Sequence, residues 1–286
     1  RVLLRVRPYE EEEGSANRLF RRWMDEGKRL LADFRMSAYK EMLASMVHDF
    51  DRLPLSEARK PRIGVVGEIL VKFHPVANNH IVEAIEREGA EAVVPDMMEF
   101  FLYCAWNQIY KGRHLGKSPL RIPLGHGLVA VLEQFRKPLV DALSQSERFI
   151  APESICRKAE RASRLLSLGN QAGEGWLLTA EMMALIEEGV LNIACVQPFA
   201  CLPNHITGRG MLKGLKRMYP QANITAIDYD SSGSEVNQHN RLKLMISAAM
   251  SGFGQETASA FQAQPVSGFS QDKPTPKFNK EPVNVH

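Results

Sequence analysis

The chain contains 286 residues, 44% of them hydrophobic, which is enough apolar material to bury one large core or two ordinary ones. Its 36 basic and 33 acidic residues leave a net charge of only +3 and form no long basic run, so the sequence excludes a typical nucleic-acid-binding protein. The longest apolar stretches are about half the roughly 20 residues that a membrane-spanning helix needs, so we expect no membrane segment.

The amino-terminal segment opens with "RVLLRV", an apolar run that predicts a strand. From Ser15 onward, apolar residues recur close to a 3.6-residue period and predict one long amphipathic helix, or two in succession broken near Gly27. Because the chain starts at Arg1 and shows no charged-then-apolar leader, we expect a cytoplasmic protein that is part of a longer chain, with residues 1–54 completing an upstream domain.

The middle of the chain predicts the start of an α/β domain that spans residues 61–250. The apolar, β-branched run "RIGVVGEI" is bounded by proline and glycine, which is typical of a buried strand. We expect a helix over about 79–88, a strand at "EAVVP" and then a largely helical insertion over about 99–162.

The last third alternates strands with helices. The predicted strands are "RLLSLG", "NIACVQP" and "NITAIDYD", and the predicted helices are "WLLTAEMMALIEEG", "GMLKGLKRMYP" and "SEVNQHNRLKLMISAAM". Such alternation indicates parallel strands joined by right-handed crossovers, so we predict an α/β fold with a parallel sheet and flavodoxin-like units. Over residues 251–286, proline, glycine, serine and glutamine replace periodic apolar residues, so we expect a disordered carboxyl-terminal tail.

Ligands of open parallel sheets bind where strand-to-helix loops gather, at the carboxyl ends of the strands. The sequence predicts such loops after the strands at Ile63, Leu168, Val196 and Ile227. The candidate cofactor-binding residues in these loops are Gly67, Glu68, Asn170, Gly173, Glu174, Gly175, Gln197 and Asn204. The glycine-rich loop over 169–175 is a weak nucleotide signature, and a tight turn that lets a helix pack close to a strand is the alternative.

The cysteines are too sparse for a disulfide framework, so we expect reduced thiols. Cys201 lies at the tip of the loop "QPFACLPNHITGRG", where a helix N-terminus favours the thiolate that binds iron or zinc. Cys195 lies inside the strand pattern and is expected to be a buried small hydrophobe. Cys104, in "FFLYCAWNQIY", is either a buried thiol or a second metal ligand, and Cys156 is expected to be incidental.

Three further residues are candidates for acid–base chemistry. His205 follows Cys201 by four residues and is either a metal ligand, an acid or base, or simply part of the start of a helix. Asp228 and Asp230 lie at the end of the last predicted strand and could hold magnesium or transfer protons, although aspartate in a turn often only bonds its own backbone.

Several segments together resemble a known family. They are "RVRPYEEEEGSANRLF", "RIGVVGEILVKFHPVANN", "FFLYCAWNQIY", "SLGNQAGEGWLLTAEM" and the run from "QPFACLPNHITGRG" to "HNRLKLM". Over about residues 1–250 the chain resembles the carboxyl-terminal part of the large acyl-CoA dehydratase activase-related proteins, in which an ATPase activator is joined to a component similar to 2-hydroxyglutaryl-CoA dehydratase or benzoyl-CoA reductase.

The resemblance implies an anaerobic electron-transfer system with an iron–sulfur cluster, of 4Fe-4S type, and ATP used only by a partner or by a region that this chain does not contain. It implies Cys201 as one cluster ligand, with Ala200 standing where the family has glycine. The implied partners are an amino-terminal ATPase and cluster region or an activator subunit, and an acyl-CoA substrate; a homodimer is a further alternative.

Two other functions compete with the iron–sulfur interpretation. The chain could be a non-catalytic α/β interaction module that docks on an ATPase activator, with Cys201 only structural. A zinc-dependent hydrolase using Cys201, His205 and an aspartate is weaker, because three convergent ligands cannot be counted from the sequence.

Overall fold

The computed structural model of the chain describes residues 1–230, 233 and 235–260, with side chains given up to residue 252. Its helices are α1 (Val2–Val6), α2 (Ser15–Ala32), α3 (Met36–Asp51), α4 (Ile69–Phe73), α5 (Ile81–Arg87), α6 (Met98–His114), α7 (Arg121–Ser144), α8 (Ile155–Ser163), α9 (Gly175–Glu187), α10 (Leu202–Thr207), α11 (Leu212–Met218) and α12 (Glu235–Ala260). Its strands are β1 (Arg62–Gly67), β2 (Glu91–Val93), β3 (Asn192–Pro198) and β4 (Asn223–Tyr229).

The strands form one four-stranded parallel sheet in the order β2-β1-β3-β4. The register places Val66 opposite Cys195 and Gln197 opposite Asp228. This strand order, with helices on both faces, has the doubly wound arrangement of flavodoxin-like sheets. The predicted α/β fold with a parallel sheet is therefore confirmed.

Alternate residues of each strand enter two different cores because successive side chains of a strand point to opposite faces. Val65 and Val196 pack with α4, α5 and α12 on one face. Val66 and Cys195 pack with α9 and α11 on the other. Both faces are thus covered, which explains why these strands appear in the sequence as continuous apolar runs.

The predicted helical insertion is present as α6, α7 and α8. Trp176, at the start of α9, is fully buried against α6, with ring centroids 5.1 Å from those of both Tyr103 and Trp106. Its indole N–H donates to Asn107 at 3.0 Å, so this large buried ring leaves no unpaired donor. Among the residues described, no helix combines the length and apolarity needed to cross a lipid bilayer.

Two predicted strands are wrong. "RVLLRV" forms α1, whose Val2 and Val6 enter a core shared with Phe50 and Leu143. Because these valines are four residues apart, a helix buries both on one side. The segment "RLLSLG" is a turn after α8, and the N–H groups of Leu165 and Leu166 are both bonded to the carbonyl of Ala162 rather than to a strand.

Two predicted boundaries also shift. α2 continues through Gly27, and the break between α2 and α3 falls at residues 33–35 instead. The predicted tail does not begin at Ser251, because α12 continues to Ala260. The remainder of that tail, residues 261–286, lies outside the described part of the chain.

Candidate functional site

The strands β1, β3 and β4 end along one side of the sheet, which we call the carboxyl edge. Gly67 ends β1 with a φ of +149°, and a Cβ atom there would overlap the carbonyl oxygen of Val196 on β3. Only glycine allows β1 to leave the sheet this close to its neighbour. The next residue, Glu68, caps α4 by accepting the N–H of Val71 at 2.9 Å.

The glycine-rich loop over 169–175 reaches the carboxyl edge although no strand precedes it. Glu174 accepts the N–H of Ile69 at 2.9 Å, and Gly173 lies against Pro203, the second residue of α10. A Cβ atom on Gly175, whose φ is +46°, would overlap the carbonyl oxygen of Asn170. The loop thus brings its predicted residues to the same edge as Gly67 and Glu68.

The hydrogen bonds of this loop close a tight turn. The N–H groups of Asn170, Gly175 and Trp176 are bonded to the carbonyls of Ser167, Ala172 and Asn170, at 2.9–3.1 Å. The side chain of Asn170 donates to the carbonyl of Ser167 and closes the same turn. A phosphate cradle needs backbone N–H groups that point outward, and these three point into the loop.

A polar cluster connects the ends of β3 and β4. Gln197 donates to one carboxylate oxygen of Asp228 at 2.6 Å, and Arg209 donates to the other at 2.8 Å. His205 Nε2 lies 3.8 Å from Asp228 Oδ1. Asp228 therefore holds one side chain from β3 and one from the segment after α10, as expected for adjacent strands whose carboxyl ends meet.

The contacts of His205 define its tautomer. Nδ1 lies 2.9 Å from the carbonyl oxygen of Cys201, and because a carbonyl only accepts, Nδ1 carries the hydrogen. In the neutral ring, Nε2 is then an acceptor, 3.4 Å from the amide nitrogen of Gln197. Nε2 also lies near Asp228 Oδ1, so the His205 ring is held between Cys201, Gln197 and Asp228.

Two buried amides at this edge have polar atoms without hydrogen-bond partners. Asn204 is fully buried, and neither its amide oxygen nor its amide nitrogen has a partner among the described atoms. The Oε1 atom of Gln197 is also buried without a hydrogen-bond partner among the described atoms. An unpaired buried polar group costs about 1–3 kcal/mol, so such groups mark places where a bound molecule or water belongs.

Asp230 lies beyond this cluster on the loop after β4. Its carbonyl oxygen accepts the N–H of Gly233 at 3.1 Å and so closes a turn. Asp228, and not Asp230, is the aspartate whose carboxylate accepts hydrogen bonds from Gln197 and Arg209.

The four cysteines differ in how far they are exposed to solvent. Cys195 is fully buried, and burial raises the pKa of its thiol to about 12, as expected for a small hydrophobe. Cys201 is partly exposed at the N-cap of α10, directly after Ala200, whose φ is +60°. Cys104 and Cys156 are exposed.

Cys104 lies on α6, close enough to the glycine-rich loop for Glu174 to affect its thiol. Burial of the sulfur raises the pKa of Cys104, and the Glu174 carboxylate raises it further, while Lys111 lowers it. Of the two predicted metal ligands, Cys201 lies at the end of β3 beside His205, and Cys104 lies on α6.

A complete metal site is not present among the residues described. They contain no group of three or more histidine, cysteine, aspartate or glutamate side chains arranged to hold a metal ion. His205 and Asp228 are instead engaged with Cys201 O, Gln197 and Arg209. Any larger ligand set would have to include residues outside the described part of the chain, or a partner.

Two features of the carboxyl edge were not predicted from the sequence. Arg209 was not selected, although a single arginine in the loop after β3 can reach an aspartate at the end of β4. The apolar side chains of Leu70, Phe199 and Leu202 are 57%, 67% and 68% exposed at the same edge. In the sequence, these three residues stand out as large apolar residues in predicted loops that have no helical or strand periodicity.

Comparisons with known proteins identify no relative: the chain matches no family model, no curated protein and no solved structure at a significant level. The resemblance to dehydratase activase-related proteins therefore stays a prediction. The function has to be inferred from the geometry of the carboxyl edge.

Proposed function

We propose that this chain is one component of an iron–sulfur redox system similar to the ATP-driven acyl-CoA dehydratases and reductases, and that Cys201 supplies one cluster ligand. The observation that carries the proposal is the position of Cys201, a partly exposed thiol at the carboxyl end of β3, directly after a left-handed Ala200. The residue before the ligating cysteine is glycine in the family that the sequence resembles, and glycine is the residue that best tolerates this backbone conformation.

The described residues can supply one ligand of such a cluster, not all four. A four-iron cluster is held by four thiolates, and only Cys201 combines access to solvent with a place in the carboxyl edge beside the polar cluster. We therefore propose that the remaining ligands come from an amino-terminal ATPase and cluster region or from an activator subunit. ATP would be used there, and an acyl-CoA substrate would be bound by the complete assembly.

The chain's own polar groups would position whatever is bound. Asp228 holds Gln197 and Arg209, which keeps the loop after β3 against the end of β4. His205 donates to the carbonyl of Cys201 and so restrains the backbone that carries the thiol. The buried amides of Asn204 and Gln197 have unused hydrogen-bonding capacity for a ligand in the edge. Because the four cysteines are free thiols, we also propose a cytoplasmic location.

A second candidate function is an interaction module. The exposed Leu70, Phe199 and Leu202 surround the carboxyl edge, and clustered exposed apolar side chains often mark protein-binding surfaces. In that case an ATPase activator would dock over the edge, and Cys201 would have only a structural role.

Iron content tests the first proposal. The longest natural form of the protein is purified without oxygen, and iron and acid-labile sulfide are measured for the wild type, Cys201→Ala and the control Cys156→Ala, which alters an exposed cysteine on α8. We expect Cys201→Ala to lose most of the iron and visible absorption while the control keeps both. Unchanged iron in Cys201→Ala would contradict the proposal.

Partner capture separates the two functions. If the chain is an interaction module, capture of the activator survives Cys201→Ala and is lost in a Phe199→Ser, Leu202→Ser double variant. If the cluster joins the two partners, capture fails in Cys201→Ala as well.

A further inference from the structure

A strongly basic pocket lies at the end of the sheet opposite to the carboxyl edge. It has a volume of about 360 Å³ and is lined by Arg5, Arg59, Lys60, Arg62 and Arg148, together with Tyr9 and the neighbouring Leu55, Ser56 and Ala58. Among the residues described, no carboxylate lines it. We call it the basic pocket; it shares no residue with the carboxyl edge.

The fold holds the walls of the basic pocket in place. The segment before β1 is fixed to the amino-terminal region because Ser56 donates its N–H to the carbonyl of Tyr9 at 2.8 Å. Arg148 donates to the carbonyls of Phe50 and Leu53 at 2.9 and 3.1 Å, which fixes its guanidinium at the pocket wall. The cations thus converge from distant parts of the sequence onto a preformed concave surface.

The charge of the basic pocket is poorly compensated. Glu91, whose side chain is 1% exposed, lies behind the wall, bonded to Arg5 and Tyr9 and 3.5 Å from Arg62 Nε. Within the described part of the chain, Arg59 and Lys60 form no ion pair. One buried carboxylate therefore balances Arg5 and Arg62, while Arg59, Lys60 and Arg148 have no ion pair with a described residue.

Acidic groups near the basic pocket do not line it, and Glu57, between the lining residues Ser56 and Ala58, is exposed. The carboxylate of Glu86 interacts electrostatically with Lys60, but it already accepts hydrogen bonds from Arg7. A smaller cavity of about 90 Å³ extends inward from Arg5, Arg62 and Arg148, but it is also lined by carboxylates, including Glu99 and Glu181. An anion is therefore favoured in the outer basic pocket and disfavoured in the inner cavity.

We propose that the basic pocket binds a small ligand through a diphosphate group. Guanidinium groups donate paired hydrogen bonds to phosphate oxygens, and several arginines together suit an anion with more than one charge. The volume lies at the lower end of the range of about 300–1,000 Å³ that is usual for small-molecule sites. The ring of Tyr9 has Arg5 and Lys60 each 5.8 Å from its centroid, so it holds the cations rather than a ligand ring.

This inference goes beyond the proposed function and is independent of it. The test uses the intact chain titrated calorimetrically with inorganic pyrophosphate, ADP and AMP at low and high salt. We expect saturable binding of pyrophosphate, much weaker binding of AMP, and loss of affinity as salt rises. Equal binding of ADP and pyrophosphate would indicate a ligand that carries a diphosphate group, and binding of pyrophosphate alone would indicate the free anion; both outcomes support the proposal.

Two variants identify the site. Arg59→Gln and Lys60→Gln remove cations that form no ion pair within the described part of the chain, so the variants should fold, which thermal unfolding checks. Because a hydrogen bond to a charged group contributes about 1.5–3 kcal/mol, each variant should raise the dissociation constant for pyrophosphate about tenfold or more. The control Lys40→Gln, an exposed position on α3, should leave it unchanged.

Several results would overturn the proposal. They are the absence of saturable pyrophosphate and ADP binding, binding that the two variants leave unchanged, and an equal loss in Lys40→Gln. Tighter binding of duplex DNA, lost in the same two variants, would also overturn it, because the pocket would then be part of a nucleic-acid surface.

Discussion

Lys72 and Glu181 form a buried ion pair that joins α4 to α9, with Lys72 Nζ 2.9 and 3.1 Å from the two carboxylate oxygens. Their side chains are only 3% and 2% exposed. α4 follows β1 directly, and α9 follows the glycine-rich loop, so the pair connects two of the segments that form the carboxyl edge. Burial raises the pKa of Glu181, and Lys72 opposes that shift.

Removing one partner of this pair should destabilise the protein strongly. We expect Glu181→Gln to lower the free energy of unfolding by about 3–5 kcal/mol, because it leaves the Lys72 ammonium buried without its counter-charge. A Lys72→Met, Glu181→Gln double variant should be more stable than Glu181→Gln alone, since it removes both charges. Urea unfolding of the wild type, Lys72→Met, Glu181→Gln and the double variant gives the coupling energy of the pair. Additive effects of the two substitutions would contradict the pairing.

Ala200 occupies a backbone conformation that favours glycine. Because left-handed backbone costs a residue with a Cβ atom about 1–2 kcal/mol, and glycine adds freedom to the unfolded chain, we expect Ala200→Gly to stabilise the protein by about 0.5–1 kcal/mol. Thermal unfolding measures the change. The control Ala172→Gly, at an exposed loop position whose φ is not positive, should be slightly destabilising. A loss of stability in Ala200→Gly would show that the turn does not strain alanine.

The four cysteines should differ in reactivity towards a maleimide. Because Cys195 is fully buried and its thiol has a pKa of about 12, it should stay unmodified in the native protein. Cys104, Cys156 and Cys201 should be modified, and denaturant should expose the fourth thiol. Peptide mapping by mass spectrometry assigns each site. Rapid native modification of Cys195 would contradict its place in the core.

Glu187 should contribute stability only above mildly acidic pH. Burial opposes its ionisation, but hydrogen bonds from Tyr219 and Arg161, at 2.6 and 2.8 Å, lower its pKa below the ordinary value of 4.5. The ionised group therefore stabilises the folded state above the unfolded pKa, and this contribution is lost as pH falls through the folded pKa.

We expect Glu187→Gln to cost less than about 1 kcal/mol near pH 7, because the pair is partly exposed and screened by solvent. The difference from the wild type should shrink below about pH 4. Urea unfolding at both pH values checks this, with Glu188→Gln as a neighbouring control, because Glu188 forms no ion pair with the residues described. A difference that grows as pH falls would contradict the assignment.

The hydrophobic pattern was sufficient for most of the fold. β1, β3 and β4 were predicted because strands covered on both faces appear as continuous apolar runs, and the long amphipathic segments were predicted as helices. The pattern failed at "RVLLRV" and "RLLSLG". A short apolar run is compatible with a helix, a strand or a turn, and only its packing partners distinguish them.

The candidate site was predicted in part. Gln197, His205 and Asp228 were expected together because the carboxyl ends of neighbouring parallel strands share one edge. The glycine-rich loop was assigned to this edge for the wrong reason, since no strand precedes it. It reaches the edge because Glu174 bonds to Ile69 and Gly173 lies against Pro203.

The sequence by itself determined the class of fold, the buried state expected of Cys195 and the loop that carries Cys201, because these depend on local periodicity and on turn-forming residues. Only the tertiary structure decided that Arg209 reaches Asp228, that Lys72 meets Glu181 and that a basic pocket forms around Arg148. These contacts join residues that lie 19, 109 and up to 143 positions apart. Such contacts depend on how the helices pack on the sheet, and local patterns do not encode that packing.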